Sequence, residues 1–136
     1  MLSGYLKDDL ILEFSGCKTW KESLHEISRA LFQRGYVTSG YENAILQRES
    51  DYPTGLDFED GLPIALPHAD SSHVKETGIG LAVFPTKSVF RRMDDPQKEV
   101  KVTMAVIIAM KEGTHQVDLL QELMELFQNR QLRQHI

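Results

Sequence analysis

One histidine of this sequence stands in a position suited to group-transfer chemistry, because His68 directly follows Pro67. Proline disfavours the helical conformation for the residue before it, so Leu66 is held extended and His68 is presented from a stiff support. A neutral imidazole is a competent nucleophile near pH 7, and a phosphoryl group bound to it is reactive enough to be handed on. His68 is therefore our candidate nucleophile for phosphoryl transfer.

Phosphoryl transfer also needs groups that stabilise charge, since its transition state spreads negative charge over the phosphate oxygens. Arg48, in the last turn of a predicted helix, and His115, in the first turn of another, are the candidates. Both have structural alternatives, because a cation at a helix C-terminus is favoured by about 0.3–1 kcal/mol and a histidine can simply fill a first-turn position. Glu49 or Asp70 could orient the ring of His68.

A metal site is a rival interpretation of the same segment, because His68, Asp70 and His73 offer two imidazoles and a carboxylate within six residues. The protein would then be a metal-dependent hydrolase. The spacing differs from the His-Glu-x-x-His pattern, which puts both rings on one helical face, and no further ligand set is evident. We therefore expect no metal, and we expect Asp70 to cap a short helix on which His73 faces solvent.

The predicted helices position these residues. Thr19-Trp20-Lys21-Glu22 has the form of a capping box, and apolar residues follow at helical spacing up to Gly35. Ser39-Gly40-Tyr41-Glu42 repeats the start signal for a second helix, which Pro53 must end. Thr114 can cap a third helix. The apolar side of that helix is formed by Val117, Leu120, Met124 and Phe127.

Three apolar stretches predict strands. Gly61 to His68 contains two prolines, so it can only be a short or edge strand running into a turn. Gly78 to Phe84 and Lys101 to Met110 are rich in small and β-branched residues, with a turn at Asp94-Asp95-Pro96 between them. The second of these looks like a central strand covered on both faces. The alternation predicts an α/β fold with a mixed central β-sheet flanked by helices on both faces.

Composition narrows the classes of function. A chain of 136 residues with 41% hydrophobic residues is enough for one globular domain, spanning 1–136. The net charge of -5 argues against a nucleic-acid binder, and the single cysteine, Cys17, excludes an internal disulfide framework. The longest apolar run, Val102 to Met110, is too short to span a bilayer, and the N-terminus lacks signal-peptide features, so we expect a cytoplasmic protein.

Three ordered segments of the chain resemble a known family. Arg48-Glu49, then Pro53-Thr54-Gly55-Leu56, then Gly61-Leu62-Pro63-Ile64-Ala65-Leu66-Pro67-His68 are similar to the signature of the fructose and mannitol class (type 2) of enzyme IIA domains. These domains belong to the bacterial sugar phosphotransferase system, and the class includes galactitol-type and nitrogen-regulatory members. Within this class, the sequence from Glu49 to Gly55 most resembles that of the galactitol-like group.

The second half of the chain extends this resemblance. The strand Thr103 to Met110, followed by His115 and Leu119-Leu120, is similar to the later part of the same domain. Leu66 replaces the commoner isoleucine, and the segment from His115 to Leu119 departs from the usual His-Leu pair. The chain ends at Ile136, somewhat before the last helix of the family would finish, which leaves open a truncated chain or a short natural variant.

The resemblance implies a function for each candidate residue. His68 would carry a phosphoryl group that it receives from phospho-HPr and passes to a cysteine of enzyme IIB, while the membrane component enzyme IIC chooses the sugar, galactitol or a related carbohydrate. Arg48 and His115 match the arginine and second histidine that line the phosphate site of the family. The protein would be a phosphotransferase component with no cofactor or metal of its own.

Two alternatives stay open beside the carrier. The domain could be a regulatory module, like the nitrogen-regulatory members, that binds a target protein according to the phosphorylation of His68, since added negative charge can switch an interface. Cys17 could in principle be a phosphorylated cysteine, but Cys17-Lys18-Thr19-Trp20 lacks the glycine expected in a phosphate-binding loop. We interpret it as a structural or incidental thiol.

Overall fold

The computed structural model describes residues 4–57 and 63–112, together with positions 118, 121, 122 and 125, which are helical. The main elements, in chain order, are β1 Leu6–Glu13, α1 Trp20–Gln33, α2 Tyr41–Asp51, β2 Gly55–Leu56, β3 Ile64–Ala65, a short 3-10 turn Ser71–His73, β4 Gly78–Arg91 and β5 Glu99–Ala109.

The five strands form one mixed sheet in the order β1-β4-β5-β3-β2. β4 and β5 make a long antiparallel hairpin, in which Phe90 lies opposite Val100. β1 pairs parallel with β4 and β3 pairs parallel with β5, whereas β2 and β3 are antiparallel. The predicted α/β fold with a mixed sheet is confirmed. β5 is the central strand, as predicted, and β3 is short but internal, because β2 covers its outer side.

Helix α1 begins and ends where its sequence predicts. The hydroxyl of Thr19 accepts a hydrogen bond from the backbone N–H of Glu22 at 3.3 Å, and the Glu22 carboxylate accepts in return from that hydroxyl and from Lys18 N–H. The chain reverses after the helix at Gly35, whose φ of 83° a residue with a side chain rarely adopts. A buried hydrogen bond of 2.6 Å between the hydroxyls of Ser23 and Ser88 also joins α1 to β4.

Helix α2 ends before Pro53 as predicted, with Arg48 in its last turn, but its start differs from the prediction. Gly40, not Ser39, is the N-cap residue, and no side chain caps the helix. The His73 ring packs against this helix start, so that a Cβ at position 40 would lie 3.0 Å from His73 Nδ1. A residue with a side chain at position 40 would require the His73 ring to move by a few tenths of an ångström.

The two faces of the sheet carry separate apolar clusters. The first cluster contains the buried side chains of α1 and α2, packed on β4 and β5 around Phe84 and Phe90. The second cluster covers the opposite face; its buried members are Ile64, Leu66, Ile79, Met104, Val106, Ile108 and Met110. Both faces of β5 are therefore buried. The helix predicted from Thr114 lies outside the described residues apart from its four helical positions.

The first strand, β1, was missed by the sequence prediction. Only Leu10 of this strand is buried, and Asp8 and Asp9 interrupt any alternation of apolar and polar residues. The strand lies at one edge of the sheet, where a partly exposed face needs few apolar side chains. Within the described part of the chain, no helix combines the length and apolar character needed to cross a membrane.

Candidate functional site

The backbone immediately before His68 orients its ring. His68 follows strand β3 and is half-buried, and its Nδ1 lies 2.8 Å from the carbonyl oxygen of Leu66. A carbonyl oxygen only accepts hydrogen bonds, so the neutral ring carries its proton on Nδ1 and keeps its lone pair on Nε2. The ring therefore presents Nε2 as its nucleophilic atom.

The surroundings of the ring favour its neutral form. Burial lowers the pKa of His68 below its usual 6.5, the hydrogen bond to Leu66 opposes this shift, and the positive charge of Arg48 adds to it. At pH 7 the ring of His68 is therefore in its neutral form, which is the form in which an imidazole can act as a nucleophile.

Arg48 lies at the end of α2 with an exposed side chain, and its guanidinium carbon is 5.0 Å from the centre of the Tyr52 ring. Its charge acts on the pKa of His68, so the two groups lie within electrostatic range. The pKa of Asp70 is lowered chiefly by the hydrogen bond from the Ser72 backbone, with smaller effects from His73 and Arg48. The structure thus places Arg48 within electrostatic range of His68.

Glu49, the neighbour of Arg48, points the other way, into the protein. Only 3% of Glu49 is exposed. Its carboxylate accepts hydrogen bonds from the backbone N–H of Thr54 at 2.6 Å and from the Thr54 hydroxyl at 2.9 and 3.1 Å. Burial raises the pKa of Glu49 to about 7, although the bonds from Thr54 and the charge of Arg48 oppose the shift.

The structure corrects the expectation that Glu49 or Asp70 orients the His68 ring directly. In residues 4–57 and 63–112, the ring's hydrogen bond goes to the Leu66 carbonyl, and neither carboxylate bonds to it. The carboxylate of Glu49 bonds to Thr54 instead, because α2 points this side chain toward the core. The carboxylate of Asp70 accepts a hydrogen bond from the Ser72 N–H at 2.9 Å. Asp70 therefore caps the short 3-10 turn, as predicted.

His73 differs from its prediction. The ring is half-buried instead of facing solvent, with its Nδ1 3.5 Å from the Thr38 hydroxyl, because it packs against the start of α2. Among the described residues, no group of three or more His, Cys, Asp or Glu side chains is arranged to hold a metal ion, so nothing there supports the hydrolase hypothesis. Cys17 is buried, and burial raises the pKa of its thiol, which suits an unreactive side chain.

The link from Glu49 to Leu66 through Thr54 is a feature of the site that no sequence motif shows. The Thr54 hydroxyl accepts a hydrogen bond from the Leu66 N–H at 3.2 Å, and so joins Glu49 to the residue that holds the His68 ring. Thr54 lies in the Pro53-Thr54-Gly55-Leu56 segment of the family signature. The only signal of its role in the sequence is a small polar residue directly after Pro53. His115, the predicted second histidine, lies outside the described residues.

Comparison with known proteins identifies the family of this chain. A family model described as "Phosphoenolpyruvate-dependent sugar phosphotransferase system, EIIA 2" matches residues 5–136. The galactitol-specific EIIA component of the PTS system of Escherichia coli (strain K12) is 29% identical over 99 residues, which are 73% of this chain. The match spans 65% of that relative's length, just under two thirds.

Solved structures share the fold. The nitrogen regulatory protein IIA-Ntr of Neisseria meningitidis superposes with a TM-score of 0.76 at 18% identity, covering 98% of this chain and 88% of the other. Enzyme IIAMTL of Escherichia coli, in its complex with phosphorylated enzyme IIBMTL, gives a TM-score of 0.69 at 22% identity, covering 91% and 83%. At these identities the likeness concerns the fold alone.

Proposed function

Since this chain belongs to the EIIA 2 family of the phosphoenolpyruvate-dependent sugar phosphotransferase system, we propose that it is a phosphocarrier that receives a phosphoryl group on Nε2 of His68 and passes it on. The observation that carries the proposal is the hydrogen bond between His68 Nδ1 and the Leu66 carbonyl. It leaves Nε2 unprotonated and fixes the direction of its lone pair.

The proposed transfer keeps the ring proton in place. The Nε2 lone pair attacks phosphorus while the phosphorus–nitrogen bond of the phosphohistidine donor breaks, and the donor imidazole keeps that electron pair. The His68 proton stays on Nδ1, bonded to the Leu66 carbonyl. In the onward step, a thiolate of the acceptor bonds to phosphorus as the Nε2–phosphorus bond breaks, and Nε2 takes back that electron pair, so His68 returns to its neutral form.

Arg48 is proposed to stabilise the phosphate charge. Its exposed guanidinium is available to a docked donor, and its effect on the pKa of His68 supports its proximity to the ring. A guanidinium presents several donors to phosphate oxygens in a fixed planar geometry, so it can follow the charge as it moves between two proteins. His115 is proposed as a second donor on the strength of its match to the family motif.

The donor is proposed to be phospho-HPr and the acceptor a cysteine of enzyme IIB, which would serve the membrane component enzyme IIC. An enzyme IIA of the same fold is known in complex with phosphorylated enzyme IIB, which supports this choice. Similarity to a galactitol-specific component favours galactitol or a related carbohydrate as the transported sugar.

A regulatory role is the second candidate, favoured by the likeness of the fold to nitrogen regulatory protein IIA-Ntr. The site would be the same in both cases, and the fate of the phosphoryl group would differ. A carrier transfers it to enzyme IIB, whereas a regulator keeps it and changes its affinity for a target protein.

The decisive experiment is phosphorylation with phosphoenolpyruvate, enzyme I and HPr, followed by intact-mass measurement. We expect one acid-labile phosphoryl group on the wild type and none on His68→Ala. Addition of the matching enzyme IIB should then remove the group if the protein is a carrier. An unmodified wild type in the presence of charged HPr would refute the carrier.

A further inference from the structure

We propose that Glu49 and Thr54 are positioning residues that hold the reactive ring of His68 through the backbone of Leu66, an inference that rests on the proposed role of His68. Neither side chain contacts the ring. They act on the residue whose carbonyl oxygen accepts the Nδ1–H bond.

The connection runs through three consecutive links, from Glu49 to Thr54, from Thr54 to Leu66 and from Leu66 to His68. The Glu49 carboxylate accepts from the backbone and the hydroxyl of Thr54, at 2.6 and 2.9 Å. The same hydroxyl accepts from Leu66 N–H at 3.2 Å, and the Thr54 carbonyl accepts from that N–H at 3.3 Å. Leu66 O then accepts from His68 Nδ1 at 2.8 Å. When Glu49 is ionised, the Thr54 hydroxyl donates its proton to the carboxylate and accepts from Leu66 N–H through a lone pair.

Burial makes this connection stiff. Glu49 and Thr54 are each 3% exposed, as is Leu66. Hydrogen bonds away from water meet little competition, and leaving a buried donor or acceptor unpaired costs about 1–3 kcal/mol. Rearrangement of any member would leave another without its partner. The set therefore has one favourable arrangement.

The position of the Leu66 carbonyl follows from the position of its N–H. Pro67 restricts the ψ angle of Leu66 to extended values, so fixing the N–H side of this residue also fixes where its carbonyl points. The short strand β3 has only two residues in the ladder, which is too little backbone pairing to define the next residues unaided. Thr54 supplies the contact that the ladder lacks.

A buried carboxylate is an expensive way to stabilise a turn. Burial disfavours the charged form of Glu49, and an apolar side chain of similar size would avoid that cost. A carboxylate, however, accepts two hydrogen bonds from one threonine at once, and so fixes both the backbone and the hydroxyl of Thr54. These hydrogen bonds suit a role in orienting the His68 ring. Stability alone would not require a carboxylate at position 49.

The test compares Thr54→Val, which removes the hydroxyl at nearly constant shape, with Thr54→Ser, which keeps it. Long-range proton–nitrogen NMR spectra report which ring nitrogen of His68 carries the proton, and phospho-HPr kinetics report the transfer. For Thr54→Val we expect a mixture of the two tautomers and about a tenfold lower maximal rate. The KM for phospho-HPr should stay within about twofold, since the docking surface is unchanged. Thr54→Ser should restore both readouts.

Ser88→Ala is the matched control, because it removes another fully buried hydroxyl, one that bonds to Ser23 and takes no part in the link from Glu49 to His68. It should lower stability without altering the His68 tautomer. If Thr54→Val does not fold, Glu49→Gln gives the same test, because an amide replaces one of the two accepting oxygens while size is kept.

A folded Thr54→Val protein with the wild-type tautomer and the wild-type rate would overturn the proposal. So would an equal change in Ser88→Ala, which would indicate general loosening of the fold. Failure of wild-type protein to accept phosphate from charged HPr would instead refute the proposed function. The tautomer comparison needs no phosphate, so it would still decide whether Glu49 and Thr54 orient the ring.

Discussion

Two parts of the central sheet, the β4–β5 hairpin and the β2–β3 pair, are built by different means. The β4–β5 hairpin pairs along most of its length and buries Phe84 and Phe90 against α1 and α2. The β2–β3 pair has two residues in each strand, yet His68 follows it directly. Hydrogen bonds from backbone N–H groups to the side chains of Glu49 and Thr54 define the conformation around the β2–β3 pair. Apolar packing thus supplies most of the stability, and a few buried polar atoms supply the orientation.

Removal of an aromatic side chain from the hairpin should have the largest effect on stability. Phe90 is fully buried, with its ring centre 6.4 Å from that of Phe84. We expect Phe90→Ala to lower the free energy of unfolding by about 3–5 kcal/mol, measured by urea denaturation. The rate of phosphorylation per folded molecule should match the wild type. If the rate falls more than the folded fraction does, packing in the β4–β5 hairpin also affects the site beside the β2–β3 pair.

A pH series should reveal how the ionisation of Glu49, beside the β2–β3 pair, affects stability. The pKa of Glu49 is about 7 in the folded protein against 4.5 for a free glutamate, so the folded state binds the extra proton between these values. Stability attributable to Glu49 should therefore fall as pH rises from 4.5 to 7, by up to roughly 3 kcal/mol, and then stay low. The free energy of unfolding of the wild type should therefore fall relative to that of Glu49→Gln as pH rises through this window. A pH-independent difference would show that Glu49 is ionised throughout.

Two histidines should titrate on opposite sides of pH 6.5. Burial lowers the pKa of His68, whereas the 2.9 Å hydrogen bond to Glu42 raises the pKa of His25. NMR titration of both rings in one sample checks the order of the two midpoints. Stability from the His25 pair should be complete below pH 6.5 and lost as pH rises through the raised pKa. Because the pair is exposed, His25→Ala should cost less than about 1 kcal/mol. Coinciding midpoints would contradict the burial of His68.

Local patterns predicted much of the fold. The capping box of α1, the stop at Pro53 and the central apolar strand β5 each depend on neighbours in sequence, and each was confirmed. Strand β1 was missed because an edge strand with one buried residue has almost no periodic signal. The start of α2 was placed at Ser39 because sequence cannot show that His73, far along the chain, packs against Gly40.

The site divides in the same way. The position of His68 after Pro67 and the location of Arg48 near it could be predicted from motif and helix ends. The partner of the His68 ring could not, because a backbone carbonyl carries no residue identity in the sequence. The bond from Glu49 to Thr54 was hidden for a related reason: it depends on how the chain turns at Pro53, and a spacing of five residues does not encode that turn.

The contact between Gly40 and His73 has a consequence for how this protein can change in length. Helix α2 meets the segment that carries His68 twice, at Gly40 through His73 and at Glu49 through Thr54 and Leu66. One residue inserted between these points would rotate Arg48 and Glu49 by about 100° around the helix axis. Among the described residues, the side-chain bonds of the exposed turn at 94–96 stay between Arg92 and Lys98. Length variation among homologues should therefore collect in that turn and be rare within α2.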